Sequence, residues 1–118
     1  MLSKEMQKIE KPWGYEMWWA ETKKYAAKFI HINPKSRMSL QYHKKKEETI
    51  YVMKGILRVW EGIEVDSNPL ELHPGSVYHV EPGKVHRFGA GRIPVMICEV
   101  SSPELDDVVR LHDDYKRK

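Results

Sequence analysis

Short runs of β-branched and aromatic residues, alternating with polar ones, follow each other along most of this chain. They are "YEMWWAE", "KFIHIN", "RMSLQYH", "TIYVMKG", "ILRVWEG", "PLELHPG", "SVYHVEPG", "VHRFGA" and "PVMICEVS", each closed by Gly, Pro, Asn or charged residues. The punctuation "NPKS", "EGIEVDSNP", "HPGS", "EPGK" and "GAGRIP" separates them, at roughly the 8–12-residue spacing of sandwiches and barrels. Nine short strands predict an all-β fold. The tail reads differently: in "SSPELDDVVRLHDDYKRK", Ser102 precedes Pro103, acidic residues come early and basic ones late, which predicts a short C-terminal helical segment. No linker or repeat divides the 118 residues, so one domain spanning 1–118 is expected.

Alternation also assigns faces. In "MSLQYH", Ser39, Gln41 and His43 share one face and Met38, Leu40 and Tyr42 the other. An amide and an imidazole aimed into a β core need hydrogen-bond partners or a metal, because burying them unpaired is costly. A lysine-rich turn follows, and Glu48 then opens a strand whose face continues through Ile50 and Val52, which brings a carboxylate beside His43. The "EPG" turn at 81–83 reverses the chain and sets His86 early in the next strand, on one face with Phe88. Gln41, His43, Glu48 and His86 thus form a mixed nitrogen and oxygen set suited to one divalent metal ion with positions left open. The set does not discriminate among Zn, Mn, Co, Ni, Fe and Mg.

Composition narrows the partners. The chain is 41% hydrophobic and 31% charged, as soluble globular proteins are, and its net charge of +3 comes from 20 basic and 17 acidic residues scattered along it. A nucleic-acid partner is therefore not expected. Nor is a membrane one: no stretch reaches the roughly 18 apolar residues of a span, and "MLSKEMQKIEKPWG" has no apolar leader core. The single cysteine, Cys98, excludes an internal disulfide and fits a reducing, cytoplasmic setting. Exposed strand edges in so short a β chain, "YEMWWAE" among them, predict a homodimer.

The spacing Gln41-x-His43-x4-Glu48-x6-Gly55, followed by Gly75-x6-Pro82-Gly83-x2-His86, resembles the two cupin motifs, with glutamine in the place of the usual first histidine. The wider ordered set "KPWG", "RMSLQYH", "PGKVHR", "EVSSPELDDVVR" and "DDYKR" is similar to the cupin domain of type II mannose-6-phosphate isomerases, which usually follows a mannose-1-phosphate guanylyltransferase domain. The resemblance implies a cupin jelly roll, or double-stranded β-helix, with a metal held by Gln41, His43, Glu48 and His86 in its open end. It also implies that Arg87, Arg110 and Arg117 act on a sugar-phosphate substrate, gripping phosphate or polarising a sugar oxygen, although Lys116 replaces the family's glycine. Where the family commonly reads H-H-R-x-E-H, this chain has Lys44, Lys45, Lys46, Glu47, Glu48 and Thr49. Lys46 keeps a charge in the arginine's place, Lys44 offers a further phosphate contact, and the proton-moving base implied for an aldose–ketose isomerisation is Glu47 or a metal-bound hydroxide. Three functional classes fit: a sugar-phosphate isomerase, a metal-holding binding module for a sugar or nucleotide-sugar, and a metal-dependent oxygenase.

Overall fold

The computed structural model describes residues 5–63 and 68–117. Eleven strands run through them: β1 Gln7–Lys11, β2 Gly14–Glu21, β3 Ala26–Ile32, β4 Leu40–Tyr42, β5 Glu48–Lys54, β6 Leu57–Glu61, β7 Leu70–Leu72, β8 Val77–Val80, β9 His86–Ala90, β10 Val95–Ser101 and β11 Val109–His112. They form two antiparallel sheets, one ordered β1-β2-β3-β10-β5-β8 and the other β11-β4-β9-β6-β7. This is the expected jelly roll. Part of the "EGIEVDSNP" connection, at 64–67, lies outside the described residues.

The core follows from alternation. Ile30 and Ile32 of β3, Ile50 and Val52 of β5, Leu57 and Val59 of β6, and Val95 and Ile97 of β10 are fully or almost fully buried and pack with Trp13 and Phe88 between the sheets. The intervening residues of β5 and β6, among them Tyr51, Met53, Arg58 and Trp60, point away from it. Gly83, at φ 84°, turns the chain between β8 and β9 in a conformation that side-chain-bearing residues rarely take. Its amide donates to the His43 carbonyl at 2.6 Å, which ties the His86 turn to the end of β4.

Two elements differ from the sequence expectation. No helix forms among the described residues, and the tail instead makes tight turns over 103–107 and then pairs β11 with β4. So short a helix is marginal on its own, and strand pairing of Val109–His112 prevails. Asp107, expected in the helix, uses its carboxylate to accept from the amides of Lys44, Lys45 and Lys46 at 3.1, 2.6 and 2.9 Å. Those bonds, chiefly from Lys45 and Lys46, push its pKa down to about 2. The second difference is β1, "QKIEK", whose lone apolar residue gives no alternation and which forms by pairing along β2 at the sheet edge.

Candidate metal centre

His43, Glu48 and His86 come from three separate segments and meet at one point inside the barrel, all nearly fully buried. Their candidate ligand atoms lie within 4.8 Å of one another. His43 Nε2 is 3.2 Å and His86 Nε2 3.3 Å from the same oxygen, Glu48 Oε1. The other nitrogens are fixed by backbone: His43 Nδ1 is 2.6 Å from the Asp107 carbonyl and His86 Nδ1 2.9 Å from the Lys84 carbonyl. A carbonyl only accepts, so each Nδ1 carries the proton and donates. In the neutral rings both Nε2 lone pairs then face a carboxylate.

Three acceptors converging in a buried space repel unless a cation lies among them. A proton on one ring satisfies part of the set, whereas a divalent metal satisfies all three at once, with each Nδ1–H bond fixing its imidazole for coordination. The Nε2 of His86 reinforces this, since it is buried and its 3.3 Å approach to Glu48 lacks hydrogen-bond alignment. The residues present therefore fit a metal.

Gln41 stands beside them. The sheet register pairs it with His86 on one side and with Arg110 on the other, so Arg110, Gln41 and His86 form one row across the sheet. The Gln41 Oε1 accepts from Ser39 Oγ at 2.6 Å, which orients the amide. Gln41, His43, Glu48, Lys46, Arg110 and Arg117 line one cavity of about 450 Å³. Arg117 is steadied at its edge by Asp113, 2.8 Å from its Nε.

Three expected contributors lie elsewhere. Glu47 is exposed on the outer face of the sheet, its Oε2 2.8 Å from His79 Nε2, because the residue before an inward Glu48 must point outward. It is not at the cavity and has no geometry for a base there. Thr49 shares that outer face, 3.2 Å from His79 Nδ1. Position 49 is therefore not a cavity position, and an imidazole missing there takes nothing from the site. Lys44 is exposed on the turn outside the cavity lining. Arg87 follows inward His86 and projects to the outer side, where it is buried: Nε donates to the Met38 carbonyl at 2.8 Å and Nη2 to the His112 carbonyl at 3.3 Å. It fastens the tail to the sheet rather than contacting a ligand.

Around Lys46 and Glu48 the cavity also holds Glu16, Lys28 and Glu99, charges that the sequence reading did not single out. Lys46 Nζ lies 3.2 Å from Glu99 and 3.5 Å from Glu48, and Lys28 Nζ lies 3.7 Å from Glu99 and 3.2 Å from Glu16. Trp18 Nε1 donates to Glu16 at 2.8 Å. Five alternating charges thus run inward from the cavity wall to Glu48, one of the candidate metal ligands. Burial works to raise the Glu48 carboxyl, but the polar groups of Glu99, His43 and His86 around it and the Lys46 ammonium hold it well below the usual carboxylate range. Burial and the neighbouring Glu48 push Glu99 the other way, up to about 7, against the pull of Lys28 and Lys46. The sequence did carry a signal: Lys28 and Glu99 stand in phase with Ile30, Ile32, Val95 and Ile97, where a solvated charge does not belong.

Comparison with known proteins agrees with this geometry. Residues 2–113 match the family described as mannose-6-phosphate isomerase C-terminal. The xanthan biosynthesis protein XanB of Xanthomonas campestris pv. campestris is 30% identical over 115 residues, which are 94% of this chain and 24% of XanB. Mannose-1-phosphate guanylyltransferase ManC of Salmonella typhimurium is 30% identical over 115 residues, 94% of this chain and 23% of ManC. The chain thus spans about a quarter of the length of these relatives. Among solved structures, an RmlC-like cupin from Shewanella frigidimarina superposes with a TM-score of 0.73 at 15% identity, covering 90% of this chain and 91% of the other. The match over nearly its whole length and the jelly roll place this chain in the mannose-6-phosphate isomerase C-terminal family of cupin domains.

Proposed function

We propose that this chain is a metal-dependent cupin that acts on a sugar phosphate, by an aldose–ketose isomerisation of the kind for which its family is named. The observation that carries the reading is the convergence of two imidazole Nε2 atoms and one carboxylate whose remaining bonds are already made, at the wall of a cavity that also bears cationic side chains. A bound divalent ion would supply Lewis acidity, polarising a carbonyl or hydroxyl oxygen of the sugar. His43, Glu48 and His86 would hold it, with Gln41 beside His86 as a fourth ligand or as a donor to the sugar. Arg110 and Arg117 line the same cavity and present guanidinium forks suited to the phosphate. Lys46, bonded to Glu48 and Glu99, orients the carboxylate at the ion. With Glu47 outside, the carboxyls besides Glu48 that line the cavity and could carry a proton between adjacent carbons are Glu16, Glu99 and Asp106. A homodimer and a cytoplasmic setting belong to the same proposal; the outward row Phe29, Cys98, Tyr51 and Val77, paired in register across four strands, supports the dimer.

The test is incubation of metal-loaded protein with mannose-6-phosphate and with fructose-6-phosphate. Interconversion that disappears in Glu48→Gln supports the isomerase. Intact binding of metal and sugar phosphate with no interconversion would contradict it and favour the binding module, which the lysines at 44–46 in place of the family's histidines and arginine support. Metal identification decides the oxygenase reading, since zinc carries no redox turnover.

A further inference from the structure

A second groove lies on the outer face of the sheet whose inner face carries His86. Its volume is about 420 Å³, its lining includes Lys35, Arg37, Arg58, Trp60 and Arg92, and it shares no residue with the metal cavity. The strands build it by parity: Leu57 and Val59 fill the core, so Arg58 and Trp60 point out. Gly89 pairs in register with Arg58 on one side and bridges to Arg37 on the other, so two guanidinium-bearing residues flank a position with no side chain. A Cβ at Gly89 would stand 2.8 Å from the Arg37 Cβ and 2.9 Å from the Trp60 ring. A Cβ at Gly91 would stand 2.8 Å from Arg58 Nη2, so that guanidinium rests in space the glycine leaves clear.

The charge of the groove is one-sided. Among the described residues Asp114 is the single carboxylate in the lining, and it is bonded to Arg37 at 2.6 and 3.0 Å and to Arg87 at 3.4 Å. Among the described residues the carboxylate near Arg58 is Glu71, at 3.9 Å, and Lys35 and Arg92 are exposed on the rim. The guanidinium of Arg37 lies 5.7 Å from the Trp60 ring centroid, which brings cation and aromatic together. A solvated basic face has no need of a glycine trough with an aromatic floor. Convergent guanidinium groups suit the several oxygens of a phosphate, and the remaining volume and the indole suit a ring.

We propose that this groove binds a phosphorylated small molecule bearing a ring, with its phosphate on Arg58 and Arg92 and its ring against Trp60. The site stands whether or not the inner cavity isomerises sugars. The whole chain is titrated calorimetrically with a nucleoside monophosphate, the parent nucleoside and inorganic phosphate, while the Trp60 indole is followed by NMR. The nucleoside monophosphate should bind about tenfold or more tightly than either fragment, weaken with added salt and shift the Trp60 signal. The double variant Arg58→Gln/Arg92→Gln should lose about tenfold or more of that affinity, with melting temperature and metal affinity unchanged. Gly91→Val, which displaces Arg58 and keeps every charge, should weaken binding as well. Absence of binding, equal affinity in the double variant, an unmoved Trp60 signal, or loss of binding in Arg117→Gln alone would each overturn the proposal, the last by placing the ligand in the metal cavity.

Discussion

Across the inward faces of β3, β10 and β5, Ile30, Ile97 and Val52 form one row in register, and the next row along the same strands is Lys28, Glu99 and Ile50. One further row brings Ala26, Ser101 and Glu48. Within two rows the interior passes from wholly apolar to charged, with no change of strand and no break in pairing. The apolar end holds the sheets together by burial, as cores do. The charged end buries Glu16, Lys46, Glu48 and Glu99, an arrangement that by itself is weak evidence for stability, because desolvation offsets most of the attraction. One half of the barrel interior is apolar, and the other gathers the candidate metal ligands and buried charges around a polar cavity.

Substitutions on β10 separate the halves most sharply. Ile97→Ala should destabilise the protein by about 2–5 kcal/mol, read from denaturant unfolding, and leave metal stoichiometry unchanged. Two positions on, a cycle of Lys46→Met, Glu99→Gln and the pair should behave otherwise. Each single change takes one partner from a buried charge, and the double should recover roughly 1–3 kcal/mol relative to the sum of the singles. Additive costs would mean that the charged end is held together like the apolar one.

The same comparison shows what could be read from sequence. Alternation placed Glu48 with Ile50 and Val52, and that face is buried as expected. Lys28 and Glu99 were equally legible in phase, but no pattern in the sequence says that two lysines and three glutamates from four segments meet. Glu16 was hidden, because "YEMWW" is apolar on both faces apart from that residue and its phase is ambiguous. Parity decides between neighbours, which is why Glu47 and Arg87, one position from candidate metal ligands, fall outside the cavity. The tail escaped because its strand exists only through pairing with β4.

Glu47→Gln sharpens that boundary. It should change stability by less than about 0.5 kcal/mol and leave the proposed turnover of sugar phosphate unaffected; a collapse in turnover would mean that the outer face takes part in the chemistry. The smallest effect lies at Tyr78, which pairs in register with Ile50. Burial, and then the bond its hydroxyl donates to Glu61 Oε2 at 2.5 Å, push Tyr78 up to about 12. The folded state thus holds this proton more tightly than the unfolded chain, whose tyrosines ionise near about 10. Its contribution is complete below that value and is lost as pH rises toward 12. An absorbance titration should show one tyrosine ionising near pH 12, and Glu61→Gln should move it down.

The most direct measurement is an anomalous-scattering map from crystals soaked in a divalent first-row metal. The account predicts one strong peak among His43 Nε2, His86 Nε2 and a Glu48 oxygen, at about 2.0–2.2 Å from each, absent in His86→Ala. A map with no peak there, or with the metal bound elsewhere and those three atoms left without it, would contradict the account.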